Sequence, residues 1–180
     1  MSLILDGTNG LTFNNATTQN SAGSVLQVVS TTLNSTFSQS LAGGFVVSSD
    51  VMSVSITPKF STSKILIVCN FVMSLSENNR MFGLLYKNGS VLTGATGNAS
   101  SSASRVTTMG VQDNNLFGAV PLGFNYLDSP ATTSSTSYSL RLSHGSSGTN
   151  TVYVNQSTTD DGSVYRGRSI STITLMEIAS

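Results

Sequence analysis

The stretch SKILIVCNFVMSL, residues 63–75, decides the fold. It is nearly continuous in apolar residues, yet too short to cross a membrane as a helix. A run of this kind reads as a central β-strand covered on both faces. In an otherwise antiparallel protein, a partner subunit can supply the second cover. Just upstream, DVMSVSITPKF (50–60) alternates. Met52, Val54 and Ile56 share one face, with Val51, Ser53, Ser55 and Thr57 on the other. The first set is expected to be buried. Pro58 should end that strand, because it has no N–H to donate to the ladder.

Downstream, RMFGLLYKNGSVLTG (80–94) carries the sharpest local signal. Asn88-Gly89 lies between two apolar runs, and both residues tolerate the positive φ of a two-residue type I′ hairpin. Further strands are expected in SRVTTMGVQ and NLFGAVPLGFNYL, with a turn at Asn114-Asn115 between them. Gly118, Pro121 and Gly123 predict bulges or an edge position in the second. TSYSLRLS (136–143) places Tyr138, Leu140 and Leu142 on one face. TVYVN follows a GSSGTN turn, and SISTITLMEI closes the chain. That last segment is apolar on both sides, so it is expected to be central. GSVLQVVSTT (23–32) alternates only weakly.

Nowhere do apolar residues gather at a helical period. Eight to ten strands separated by turns predict an all-β chain, an antiparallel β-sandwich or jelly roll. This head spans 24–180. The loops 94–104 and 129–137 are expected at its ends. Residues 1–23 form a separate, extended N-terminal segment. Within it, LIL and LTF read as short strands, with turns at Asp6-Gly7 and Asn9-Gly10. A ribbon of this size cannot fold alone, but it can add strands to a neighbour. Leu3, Ile4, Leu5, Leu11 and Phe13 are its docking candidates.

Composition narrows the function. Charged residues are 9% of the chain, and eight basic residues balance eight acidic ones. Ser, Thr and Asn fill the gap, so hydroxyls and amides solvate the surface. That suits a chain that assembles, or that works outside the cell, better than a freely diffusing enzyme. There is no basic footprint for nucleic acid and no polybasic run for a membrane, so neither partner is expected. The single cysteine, Cys69, lies inside the apolar run and reads as a buried thiol.

Chemistry-bearing residues are sparse. The one histidine, His144, sits at a turn beside serines, with no nucleophile elbow and no carboxylate nearby in sequence. One His and one Cys cannot build a zinc site. Asp160-Asp161-Gly162 lacks the spacing of a calcium loop and reads as an Asp-Gly turn. Glu77, Asp113 and Asp128 are isolated carboxylates. GTNG and GATG lack the lysine of a phosphate loop. Glu177 is expected in water at a strand end, or paired with an arginine. Neither catalysis, metal nor cofactor is expected. The aromatics Phe117, Phe124, Tyr126, Tyr138, Tyr153 and Tyr165 serve either the core or a carbohydrate platform.

VSITPKFSTSKILIV, LLYKNGSVL and the pair TVYVNQ and SISTITLMEIA resemble domains of tail fibres and other virion proteins of bacteriophages, especially marine and cyanobacterial ones. The opening LILDGTNGLTFNNATTQNSAG resembles a segment found near the start of such proteins. The resemblance implies a homotrimeric sandwich similar to the jelly-roll heads of tumour-necrosis-factor and complement-type ligands. It implies a tail-fibre-like virion protein, assembled in the host cytoplasm, whose N-terminus joins another virion protein. Its head would contact host-surface polysaccharide through loops carrying Asn98, Ser129, Ser134, His144 and Asn150. A capsid decoration or cement protein is the alternative, favoured by the lack of an encoded shaft. A glycan depolymerase is the third reading, which needs carboxylates clustered in a groove.

Overall fold

A computed structural model describes residues 4–6, 10–12, 18–19, 25–112 and 118–179. The strands are β1 (Ile4–Asp6), β2 (Gly10–Thr12), β3 (Thr18–Gln19), β4 (Val25–Leu33), β5 (Phe37–Leu41), β6 (Met52–Ile56) and β7 (Lys64–Leu75). They continue as β8 (Arg80–Lys87), β9 (Ser90–Val91), β10 (Thr108–Val111), β11 (Val120–Asp128), β12 (Thr136–His144), β13 (Asn150–Val154) and β14 (Ser171–Ile178). One 3₁₀ turn, Thr93–Ala95, follows β9. Among the described residues no helix is long and apolar enough to cross a membrane.

Two antiparallel sheets form a jelly-roll-like sandwich. One runs β10-β8-β12-β6, with β9 added to β8. The other runs β4-β14-β7-β13-β5, with β11 added to β7. Strand β7 organises the second sheet. Residues 65–70 pair with both β11 and β14, which must therefore lie on opposite edges. β13 then continues the β14 edge, pairing at Met73–Leu75. β1, β2 and β3 pair with one another in a small sheet of their own.

The alternation seen in the sequence sets the core. Ile65, Ile67, Cys69, Phe71 and Met73 of β7 are essentially inaccessible. They pack with Met81 and Leu85 of β8, Tyr138, Leu140 and Leu142 of β12, and Ile173 and Leu175 of β14. Each such side chain contributes about 1.5–3 kcal/mol by leaving water. Burial alone pushes the Cys69 thiol up to about 12, so the group stays protonated and inert. Met52, Val54 and Ile56 are buried, as their alternation predicts, and β6 stops two residues before Pro58.

Asn88 and Gly89 adopt φ of 49° and 78°, and Lys87 faces Ser90 across the hairpin. β11 has a single partner strand, so Pro121 and Gly123 sit on an edge, in a continuous register without a bulge. β14 is flanked by β4 and β7, as a doubly apolar terminal strand should be.

The structure departs from the sequence reading in three places. First, the described residues of 25–178 hold eleven strands rather than eight to ten, because β5 escapes the pattern. Its sequence FSQSL has apolar residues only at its ends, and pairing with β13 holds it in place.

Second, the sandwich of a single chain covers β7 on one face only; the other is the face for which the sequence reading invokes a partner subunit. Its even residues Leu66, Val68 and Val72 point outward and are half-buried. Third, Glu177 is neither solvated nor paired with an arginine: it is fully buried. Its carboxylate accepts from Gln27 Nε2 and from the backbone N–H of Lys59 (2.7 Å) and Phe60 (3.4 Å). Burial pushes its pKa up, but these hydrogen bonds outweigh burial and hold the group below the usual glutamate value. Gln27 also donates to Thr57 O (2.7 Å), so Glu177 and Gln27 tie β4 and β14 to the turn after β6.

The turn expected at Asn114-Asn115, together with Asp113 and Phe117, lies outside the described residues. So do Leu3 and Phe13. Ile4, Leu5 and Leu11 fall in β1 and β2, with Leu5 opposite Leu11 in register.

Candidate ligand-binding surface

The most built surface lies on the outer face of the five-stranded sheet. From Val51 back to Val46 the chain runs along the free end of the β12 edge. Val51 N–H donates to Leu140 O (2.9 Å) and Ser48 N–H to Leu142 O (2.8 Å). Ser143 Oγ donates to Val46 O (2.8 Å). The chain then turns sharply at Gly43-Gly44-Phe45. Gly44 and Phe45 have φ of 85° and 65°.

A left-handed conformation is ordinary for glycine but a strained outlier for phenylalanine, costing about 1–3 kcal/mol. The surroundings hold it. Gly44 N–H donates to Ser146 O (3.3 Å). A Cβ on Gly43 would stand 2.0 Å from Ser147 O, so only glycine fits there. The Phe45 ring packs on Phe82, with centroids 5.8 Å apart and planes tilted by 56°.

Two clefts meet at Phe45. A polar one of about 330 Å³ is walled by Gly44, Ser102, Ser104, Ser146 and Ser147, with His144 at its base. A more apolar one of about 190 Å³ lies between Phe45, Val47, Leu84 and Tyr86, with Thr96 and Arg105 on its wall. Three loops distant in sequence build these clefts: 42–47, 94–105 and 145–148. Arg105 Nε donates to Gly97 O (2.7 Å), which braces the middle loop. Beside the apolar cleft, the Arg141 guanidinium stacks 4.2 Å over the Tyr86 ring and bonds Asp50 at 2.6 Å. The hydrogen bond to Asp50 raises the Arg141 pKa and keeps the cation fixed.

The ionisable groups buried nearby are committed to internal partners. His144 is 1% exposed. Its Nδ1 accepts from Ser146 N–H (3.2 Å), and its Nε2 donates to Leu41 O (3.1 Å). Both ring nitrogens are thus engaged by the backbone, which fixes the orientation of the imidazole. Asp128, the last residue of β11, accepts from Lys87 Nζ (2.9 Å) and Tyr138 OH (2.6 Å). Burial, and then the Asp128 hydrogen bond and charge, push the Tyr138 hydroxyl well above its ordinary value. Among the described residues no three His, Cys, Asp or Glu side chains gather as a metal site. Asp161 accepts from Ser163 N–H (3.0 Å), and Gly162 has φ of 74°, which is an Asp-Gly turn.

The sequence-nominated loop residues do not share one surface. Ser129 and Ser134 are exposed in the loop entering β12, while His144 ends the same strand at the far end. Asn98 is exposed on the 94–105 loop. Asn150 is 1% exposed, at the start of β13, and accepts from Ser76 Oγ (2.7 Å). Of the nominated aromatics, Tyr138 is in the core and Phe124 and Tyr126 pack against it. Tyr165 is 87% exposed on the β13–β14 loop. Phe45, Tyr86 and Arg105 were not singled out by sequence. The signal available was Gly43-Gly44 immediately before an aromatic residue, the mark of a tight turn that presents a ring.

The sandwich with its loop-built clefts defines the class: an all-β, jelly-roll-like protein. No protein-family model matches the chain, and no curated protein does. Among solved structures it is similar to a chain described as "Structure of infectious bursal disease virus Gx strain", at 13% identity and a TM-score of 0.43. The match covers 87% of this chain and 39% of that one, so this chain spans about two-fifths of its length.

Proposed function

We propose that this protein is a non-enzymatic structural component of a phage virion, tail-fibre-like, that assembles as a homotrimer. Residues 1–23 join it to another virion protein, and the sandwich head contacts host-surface glycan. The observation that carries the assembling role is the outer face of the six-stranded sheet. Val28, Met176, Leu66 and Leu127 stand directly opposite one another on β4, β14, β7 and β11. Val28 and Leu127 are 54% and 46% exposed. A row of four large apolar side chains across four strands, with threonine, serine and asparagine beside it, suits packing against a copy of itself. The row itself carries no charge, and the exposed Lys64 stands one row away, opposite Ile178. Trimerisation would also multiply weak loop contacts with a repetitive surface glycan. The resemblance of the TPK–SKI and TITLMEIA stretches to phage virion domains points the same way.

The test is assembly. Light scattering on the purified full chain should give three chains per particle. A chain lacking residues 1–22 should keep the trimeric head but fail to join phage particles. A monomeric full chain, or normal incorporation of the truncation, overturns the corresponding part. Labelling on the capsid shell, rather than at the tail, would make the protein a decoration protein instead.

A further inference from the structure

From the paired clefts we infer that Phe45 is the platform of an acidic-saccharide site, in which a sugar ring stacks on Phe45 and its carboxylate is received by Arg105. This rests on the reading of the head as a surface-glycan binder, and it names the place and the sugar class.

The geometry supplies three requirements of such a site. The first is a rigid ring. Phe45 is held in a left-handed conformation by the Gly44–Ser146 hydrogen bond and by its packing on Phe82. A strained aromatic that its neighbours fix so firmly is pre-organised for contact rather than free to collapse. The second is hydroxyl-bearing walls. Ser102, Ser104, Ser146 and Thr96 border the two clefts, and hydroxyls both donate to and accept from sugar hydroxyls.

The third is charge. Among the described residues no carboxylate lines either cleft, while Arg105 lines the smaller one. Its Nε is spent on Gly97 O, which restrains the guanidinium at the cleft wall. Asp50 lines neither cleft, and its charge is taken up by Arg141, with Ser139 as a second donor. Phe45 lines both clefts, of about 330 and 190 Å³, so one ring is shared between two adjoining binding spaces.

The test uses the full chain and an immobilised panel of uronate-containing oligosaccharides, each printed beside its carboxyl-reduced counterpart. The wild-type chain should prefer the acidic member of a pair. Phe45→Gly keeps the backbone conformation and removes the ring. It should bind at least about tenfold more weakly; relief of the left-handed strain offsets part of the lost packing on Phe82, so the variant should still fold, with a cooperative melting transition. Arg105→Gln should lose the preference for the acidic member while still binding the reduced one. Equal wild-type binding to both members overturns the acidic class. Undiminished binding by both variants overturns the site and leaves the glycan-binding reading standing. Failure of the wild-type chain to bind any member overturns both.

Discussion

The outer faces of the two sheets solve the same problem in opposite ways. Each presents large apolar side chains that the sandwich core does not cover. On the five-stranded sheet the chain supplies its own cover. Phe82 of β8 is buried under Phe45, and the ring of Tyr86 lies under Arg141. On the six-stranded sheet nothing among the described residues folds back over Leu66 and its row. A face sealed from within yields a rigid surface with clefts at its seams. A face left open is available to another chain. The contrast separates where this protein would recognise something from where it would assemble.

The largest expected effect breaks the open face. Leu66→Glu puts a charge at the centre of the row, without touching the core residues Ile65 and Ile67. It should convert a three-chain particle to a monomer by light scattering, with the thermal transition of the isolated head retained. A variant that stays trimeric moves the interface elsewhere. Next comes the sealed face. Phe82→Ala removes the support of Phe45 and should cost about 3 kcal/mol in denaturant unfolding, with the trimer intact below the transition. Loss of assembly in that variant would mean that the two faces are not independent.

A smaller effect is expected at the end of β11. Asp128→Asn should cost about 2 kcal/mol, because Lys87 loses its counter-charge and the Tyr138 hydroxyl loses a charged acceptor. Its melting curve should shift while the Phe45 clefts keep their ligand affinity. The smallest effect is read in the acid limb of the stability curve. The Glu177 pKa is depressed in the fold. Its charge therefore stabilises the protein fully above the ordinary glutamate value of about 4.3, and that contribution fades as pH falls through the lower folded value. Glu177→Gln should flatten stability against pH below about 4.3. An unchanged acid limb would show that other carboxylates govern it.

Much of this architecture could be read in the sequence, for a local reason. Period-two alternation sorts Met52, Val54 and Ile56 from their serine neighbours, and Asn88-Gly89 dictates its own hairpin. Pro121 places β11 on an edge. These signals depend only on residues a few positions apart. The features that were not legible depend on long-range register. Strand β5 looks polar until β13 pairs with it. Glu177 looks like a surface carboxylate until a turn 118 residues away supplies its N–H donors. The row on β4, β14, β7 and β11 appears only when four strands are aligned. The Phe45 site needs three loops to meet, and the sequence marks just the Gly-Gly pair that presents the ring.

The position of β14 has a consequence for how the protein is made. The last strand inserts between β4, near the start of the head, and β7, near its middle. Until residues 171–178 leave the ribosome, both neighbours carry open edges, and the six-stranded sheet cannot close. Closure of that sheet must therefore wait for β14, and it must bring together Val25 and Ile178, which ties its speed to long-range search. A nascent chain stalled before β14 would expose two unpaired strand edges to its neighbours on the same polysome. β14 thus acts as a late clasp: the aligned row of Val28, Met176, Leu66 and Leu127 exists only once that strand has inserted.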